Sequence, residues 1–437
     1  MDEEKMDVRS DTQGFAAPIL PENGGNLDAD FAPKLPFAAS GREMALAFFM
    51  YLLAYLYLQS AAWCLPVFCA LFCAMAEWFY RGTPRADESW FWLGCVAVTA
   101  LAATFGENRV WEGYTPLFTH AFAVYYVLCR SGRLLEGESG QLLPLDALFG
   151  LIVFPFKHLF LRIRTVSFAL THRKTGEETH PAAWAAMAVG ALLARGLLAR
   201  AVRELSGAEG AFDAGTQKLL GVVQWRLNEQ SLGTVLLSLP VGAYLFGLIA
   251  GTGREKIEAV RARGERVNAA LGSLRKVPVA VWTAALGVFA ALYLAFFSLQ
   301  AGYLFGAFVK MIPDGYTIAE YARQGFFSLC RVMAVNFALL WLVTRACVKP
   351  VRQEKTLLLL CAVLLCQSLV FAAIAASKLY LYISSYGFTP RRLQAAWLIA
   401  VLAAGTGCAL YSLVTGKKAV RYWMLFSAAT LMLLSLY

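Results

Sequence analysis

From Ala45 to the C-terminus, short polar breaks divide the chain into apolar runs, most of them about 17 to 22 residues long, the length a helix needs to cross a hydrocarbon core roughly 30 Å thick. The first run, Ala45 to Tyr80, holds about 36 residues and is interrupted at Gln59 and Ser60, so it reads as two helices joined by a tight turn. Others follow at 89–105, 113–129, 182–202, 231–250, 278–299, 324–344, 356–377, 393–414 and 420–436. The expected fold class is all-α: a polytopic transmembrane helix bundle of about eleven spans. Residues 1–43 are polar, and Pro18, Pro21, Pro33, Pro36 and the pair Gly24-Gly25 interrupt any period. They read as a disordered cytoplasmic tail ahead of a single transmembrane domain over 44–437. No basic stretch leads at once into an apolar one, so the first run is expected to remain as an anchor.

Loop charge supplies an orientation, because cytoplasmic loops collect Lys and Arg. With the N-terminus inside, the inner loops hold about 23 of them, among them Arg130, Arg133, Lys157, Arg254, Arg261 and Arg345, against about ten in the outer loops. The expected topology is N-in, C-out, in a bacterial cytoplasmic (inner) membrane. Two inner segments are more than connectors. Leu142 to Phe168 is apolar but interrupted by Pro144, Pro155, Lys157, Arg162 and Arg164, which suits an interfacial stretch whose basic side chains snorkel to headgroups. The loop from Arg254 to Lys276 repeats Val260, Val267, Leu271 and Leu274 at helical spacing on a basic helix, drawn to an anionic leaflet.

Composition narrows the chemistry. Only 16% of residues are charged, where a soluble chain carries about 25%. The formal charge of +10 belongs to the loops, and the aromatic residues lie in apolar runs rather than between basic ones, so no nucleic-acid partner is expected. None of the ten cysteines forms a Cys-x-x-Cys pair, and they read as small packing residues. The four histidines, His120, His158, His172 and His180, lack metal-ligand spacing. No metal and no cofactor is expected. Glu77 reads as structural near an inner helix end and His120 as a packing histidine, while Asn336 and Gln367 are placed to hydrogen-bond between helices.

The densest polar pattern lies in two stretches on the predicted outer side. The first contains Gln300, Tyr303-Leu304-Phe305-Gly306, Tyr316, Glu320-Tyr321-Ala322-Arg323 and Gly325-Phe326; the second contains Leu381-Tyr382, Tyr386-Gly387, Thr389 and Arg392. In these positions the chain resembles the bacterial membrane family of unknown function numbered forty-one-seventy-three, and its sister forty-one-fifty-three. The likeness is strongest over 280–415, with Phe388 where the family commonly has Leu. The resemblance implies a multi-pass helical architecture and no particular activity.

Intramembrane cations need a partner or water, since an isolated arginine in lipid costs at least a few kcal/mol. If Ile318 to Arg345 is one helix, Glu320, Gln324 and Arg331 share a face, with Arg331 roughly 13 Å into the span and too far along the axis to pair with Glu320. Another helix or a ligand is expected to supply its partner. Arg195, Lys378 and Arg392 add cations at the same predicted level. The candidate ligand-binding residues are Gln300, Tyr303, Tyr316, Glu320, Arg323, Gln324, Arg331, Lys378, Tyr382, Tyr386, Arg392 and Arg195. Two readings stand side by side. These residues line an outer-leaflet vestibule for the phosphate or carboxylate of an amphiphile, or acids such as Glu320, Asp314 and Glu209 neutralise the cations while the tyrosines form an aromatic belt. The function placed first is binding or carriage of an anionic lipid or lipid-linked envelope precursor. A membrane-anchored scaffold with an unidentified protein partner comes second, and a membrane-embedded enzyme third, because no motif pairs a nucleophile with a base and no catalytic residue is assigned.

Overall fold

The computed structural model describes residues 37–59, 64–106, 110–111, 113–171, 229–300, 302, 306, 315, 317–323 and 326–437. Most of the expected tail, and the expected span at 182–202, lie outside the described residues. Among them the chain is helical throughout, with one isolated bridge between Val277 and Cys347. The elements are α1 (Gly41–Tyr57), α2 (Cys64–Phe79), α3 (Ser89–Phe105), α4 (Thr115–Ser131), α5 (Leu143–Lys157), α6 (Leu161–Thr171), α7 (Glu229–Phe246, continued to Arg254), α8 (Ile257–Gly272), α9 (Val279–Leu299), α10 (Ile318–Arg323), α11 (Phe326–Ala346), α12 (Lys355–Tyr386), α13 (Pro390–Thr415) and α14 (Val420–Leu434).

The expected count of eleven spans does not hold. Among the described residues five helices are long and apolar enough to cross: Gly233–Arg254, Val279–Leu299, Ile318–Ala346, Lys355–Tyr386 and Pro390–Thr415. The bent pair α5 and α6 would make a sixth if it counts as one broken span. The discrepancy lies in helix length. The other apolar runs among the described residues form helices of 15 to 17 residues, about 23 to 26 Å at 1.5 Å per residue and short of the roughly 30 Å core. A hydropathy window sees the run but not the breaks that trim it, such as the extended Gly106 after α3 and the left-handed Gly132 after α4. The N-in, C-out orientation rested on loop charge sorted by eleven alternating crossings and loses that basis.

One end of each long helix is tied into a single polar layer, where arginines cap helix C-termini whose last carbonyls lack helical partners. Arg130 donates to the Tyr80 carbonyl (2.8 Å) at the end of α2, and Arg133 donates to the carbonyls of Gly253 (2.6 Å) and Glu255 (2.7 Å) at the end of α7. Arg352 reaches the Val414 carbonyl (3.0 Å) at the end of α13, and the Val277–Cys347 bridge ties the start of α9 to the end of α11. Ion pairs between described residues gather in the same layer. Glu77 accepts from Arg130 Nε (2.6 Å), Tyr126 Oη (2.8 Å) and Arg85 Nη2 (3.0 Å), which bears out its structural reading. Arg254 pairs with Glu43 (2.6 Å), and Arg421 bridges Glu88 (2.5 Å) and Glu138 (3.0 Å).

Above this layer the bundle divides into two packing regimes. In the first, α5 and α7 each contain a π turn, Phe149–Val153 and Gly247–Gly251. Such a turn disturbs the regular carbonyl pairing, and a tyrosine takes one carbonyl in each: Tyr244 Oη donates to Leu151 O (3.0 Å) and Tyr80 Oη to Ile249 O (2.6 Å). The two helices meet at glycine. A Cβ at Gly247 would lie 2.6 Å from the Pro155 carbonyl oxygen, and one at Gly251 would lie 2.5 Å from the His158 Cβ. In the second regime, α9, α11 and α12 share a core that includes Leu286, Met333, Leu357, Cys361, Leu364 and Ile374. A buried polar chain crosses it, in which Tyr293 Oη donates to Asn336 Oδ1 (2.8 Å) and Asn336 Nδ2 donates to Ser368 Oγ (2.7 Å). Gln367 Nε2 donates to the Ala290 carbonyl (3.0 Å), so both amides bond between helices as their positions predict. All ten cysteines are free, eight of them buried, which fits their packing role.

Candidate functional site

Helix length creates the candidate site. With 32 residues α12 is about 48 Å long and exceeds a roughly 30 Å core by about 18 Å. The span Ile318–Ala346 has 29 residues and exceeds it by about 13 Å. The connector that joins them at one end is held in the polar layer, through the Val277–Cys347 bridge and the Arg352 bond to the Val414 carbonyl, so the excess lies at the opposite end. That end carries Tyr321 on α10, Lys378, Tyr382 and Tyr386 on α12, and Arg392 in the first turn of α13.

Here the structure brings some of the predicted residues together and separates others. Lys378 is buried, at 1% exposure, with its Nζ 4.3 Å over the ring of the equally buried Tyr321. Ile318 and Leu381 pack around that ring. Lys378 therefore faces protein and not an open vestibule. One turn further out, Tyr382 and Tyr386 meet edge to face at 5.4 Å, and the Arg392 guanidinium lies 4.0 Å over Tyr382 and 5.9 Å from Tyr386. Arg392 Nη1 also donates to the carbonyl of Gly387, whose positive φ of 77° ends α12 and turns the chain back toward α13. Among the described residues no carboxylate lies within ion-pair distance of Arg392, so its remaining N–H edge can take an anion.

Arg331 stands apart, ten residues or about 15 Å along the helix from Tyr321. It is exposed, and its Nη2 donates to Ser328 Oγ (3.2 Å), one turn nearer the projecting end. Helical side chains lean toward the N-terminus, so the guanidinium snorkels toward the boundary. Among the described residues its hydrogen-bond partner is thus on its own helix. Glu320 has a local task as well: its carboxylate accepts from Thr317 N (3.1 Å) and Thr317 Oγ1 (2.7 Å), while its own N–H donates to Thr317 Oγ1 (3.3 Å), a capping box that starts α10. Gln300 closes α9, with its N–H on the Phe296 carbonyl (3.0 Å). Tyr303, Tyr316, Gln324 and Arg195, and the side chain of Arg323, lie outside the described residues.

Three contributors escape sequence reasoning. Thr317 is signalled by the Thr-x-x-Glu spacing of a capping box, and Ser328 by its position three residues before Arg331. Tyr321 as the seat of Lys378 has no local signal, because the pair joins two helices far apart in the chain. Among the described residues no three His, Cys, Asp or Glu side chains gather to hold a metal ion.

With this geometry in place, comparison with known proteins supplies a family. Residues 47–437 match the family described as Domain of unknown function (DUF4153). The chain belongs to the DUF4153 family. The match embraces both packing regimes, well beyond the 280–415 stretch where the motifs are clearest, and it selects the sister of the forty-one-seventy-three family rather than that family itself. No curated protein and no solved structure matches the chain. As a DUF4153 member with at least five helices long and apolar enough to cross a bilayer, it is a multi-pass membrane protein.

Proposed function

We propose that this DUF4153 protein binds an anionic amphiphile, a lipid or lipid-linked envelope precursor, at the projecting end of α12, with the headgroup on Arg392 between Tyr382 and Tyr386. The observation that carries the reading is the Arg392 guanidinium lying 4.0 Å over the Tyr382 ring without a carboxylate in reach among the described residues. Stacking on an aromatic face orients the planar guanidinium while leaving its in-plane N–H groups for a phosphate or carboxylate, a geometry lysine cannot offer. Tyr386, half exposed, extends the aromatic wall to headgroup level. Arg331, exposed and leaning toward the same boundary, supplies a second cation for acidic headgroups that approach along α11. Lys378 takes a supporting role, since its burial against Tyr321 holds α10 and α12 together beneath the cradle. The membrane in question is read as a bacterial cytoplasmic membrane.

Native mass spectrometry of the protein released from mild detergent tests the proposal. The wild type should retain an anionic lipid or precursor, Arg392→Gln should lose most of it, and Arg331→Gln should lose part. Equal, lipid-free spectra from all three well-folded proteins would overturn the reading. So would equal retention by the wild type and Arg392→Gln.

A further inference from the structure

The two packing regimes meet along a seam where α14 runs beside α3. The second regime has a core of its own. That core and the residues packed against it draw on Val279 to Leu413 and, among the described residues, on nothing earlier in the chain. Units of one chain that share no large apolar interface move relative to one another unless other contacts hold them. Side-chain contacts cross at both ends of the seam, and the two ends differ. In the polar layer the joint is dense. There α8 links the regimes covalently, and it lies so close to the loop after α4 that a Cβ at Gly264 would come 2.3 Å from the Leu135 carbonyl oxygen. Arg421, in the first turn of α14, pairs with Glu88 (2.5 Å) and Glu138 (3.0 Å), and Arg345 Nη2 donates to Gln141 Oε1.

At the other end the joint is slight. Trp111, between α3 and α4, meets Trp397 of α13 edge to face at 5.4 Å, and Gln394 Nε2 donates to the Val110 carbonyl. Trp397 Nε1 donates to Thr430 Oγ1 (3.0 Å), so its indole is held by α14. Trp111 Nε1, by contrast, is buried with no hydrogen-bond partner among the described residues. A buried donor left unpaired raises the free energy of the closed contact, and parting the two rings returns it to the membrane boundary, where an indole N–H finds a partner. We infer that the two regimes hinge at the polar layer and part at the Trp111–Trp397 contact, which acts as a latch on the α3–α14 seam at the end that carries Arg392. A hinge of this kind leaves each packed unit intact and concentrates the change in a few contacts. The motion stands whether or not Arg392 holds a headgroup.

Spin labels carried on p-acetylphenylalanine, which spares the ten cysteines, would measure the motion in the full-length protein in nanodiscs of phosphatidylcholine and phosphatidylglycerol. One pair of labels, at Tyr114 and Leu433, spans the latch end, and a second, at Arg81 and Lys417, spans the polar layer; all four side chains are exposed. Gln394→Ala with Trp397→Ala should add a longer-distance component at the latch end and leave the polar-layer distances as in the wild type. Trp111→Ala breaks the same contact from the first regime and leaves Trp397 on Thr430. It should give the same shift, and it guards against a first variant that fails to fold. A latch-end distribution unchanged in both variants would overturn the inference. So would lengthening of both label pairs together, the sign of regimes that separate rather than hinge.

Discussion

Replacing Asn336 by Leu removes the central member of the polar chain that joins α9, α11 and α12, while keeping a side chain of similar size so that no large cavity opens. Two interhelical hydrogen bonds disappear. Such bonds in membranes average about 0.6 kcal/mol and reach about 1.7, so the pair is worth about 1 to 3 kcal/mol. The losses fall unequally. Ser368 keeps its bond to the Leu364 carbonyl (3.0 Å), whereas Tyr293, itself 7% exposed, is left with a buried hydroxyl and no partner shown, a situation that costs about 1 to 3 kcal/mol by itself. Most of the effect should therefore arise at Tyr293, and Tyr293→Phe made in the Asn336→Leu background should recover part of the stability. Reversible unfolding in bicelles, followed by tryptophan fluorescence, would measure both variants and their coupling. A loss of about 2 kcal/mol corresponds to a roughly thirtyfold change in the folded-to-unfolded ratio. A neutral Asn336→Leu, or a double variant no better than the single one, would refute the assignment of these bonds as the clasp of the second packing regime.

Tyr80→Phe should cost about 1 to 3 kcal/mol in the same assay, because Tyr80 is fully buried and its hydroxyl serves a π-turn carbonyl; an unchanged midpoint would mean that the turn satisfies itself. Gly251→Ala forces a Cβ to 2.5 Å from His158 and should cost about 1 to 3 kcal/mol through displacement of α5 from α7, read as faster hydrogen exchange at Lys157–His158. Burial raises the Glu255 carboxyl, but the hydrogen bonds and charges of Lys157 and His158 outweigh it and hold the group below its usual value of 4.5. A depressed acid contributes stability that is complete above 4.5 and lost as pH falls through the lowered value, so this joint should loosen below about pH 4.5 and not near neutrality. Glu255→Gln should remove that acid-dependent part of the exchange profile, and a variant with the wild-type profile would sink the argument. Glu320→Gln should weaken the α10 cap by about 1 kcal/mol yet leave lipid retention intact, because the carboxylate is engaged with Thr317; loss of lipid would return it to the binding site.

Helix existence was legible because apolar runs in a membrane chain have few other ways to fold. Their lengths were not, since termini depend on backbone turns such as Gly132 and Gly387 and on capping contacts that a window average ignores. The interhelical roles of Asn336 and Gln367 followed from the cost of leaving an amide unpaired in lipid. Direction was harder to read than position. Arg331 and Lys378 were both recognised as cations in need of partners, yet one faces outward to Ser328 and the other inward to Tyr321, a choice set by neighbouring helices rather than by periodicity. The π turns left no pattern in composition, and with them went any view of the tyrosines that complete them.

The cradle at the projecting end of α12 can be observed directly by cryo-electron microscopy of the protein in nanodiscs that contain phosphatidylglycerol. The account predicts elongated density whose headgroup lies within hydrogen-bond distance of Arg392, flanked by Tyr382 and Tyr386. An Arg392 closed onto a protein carboxylate, with no lipid density between the two tyrosines, would contradict it.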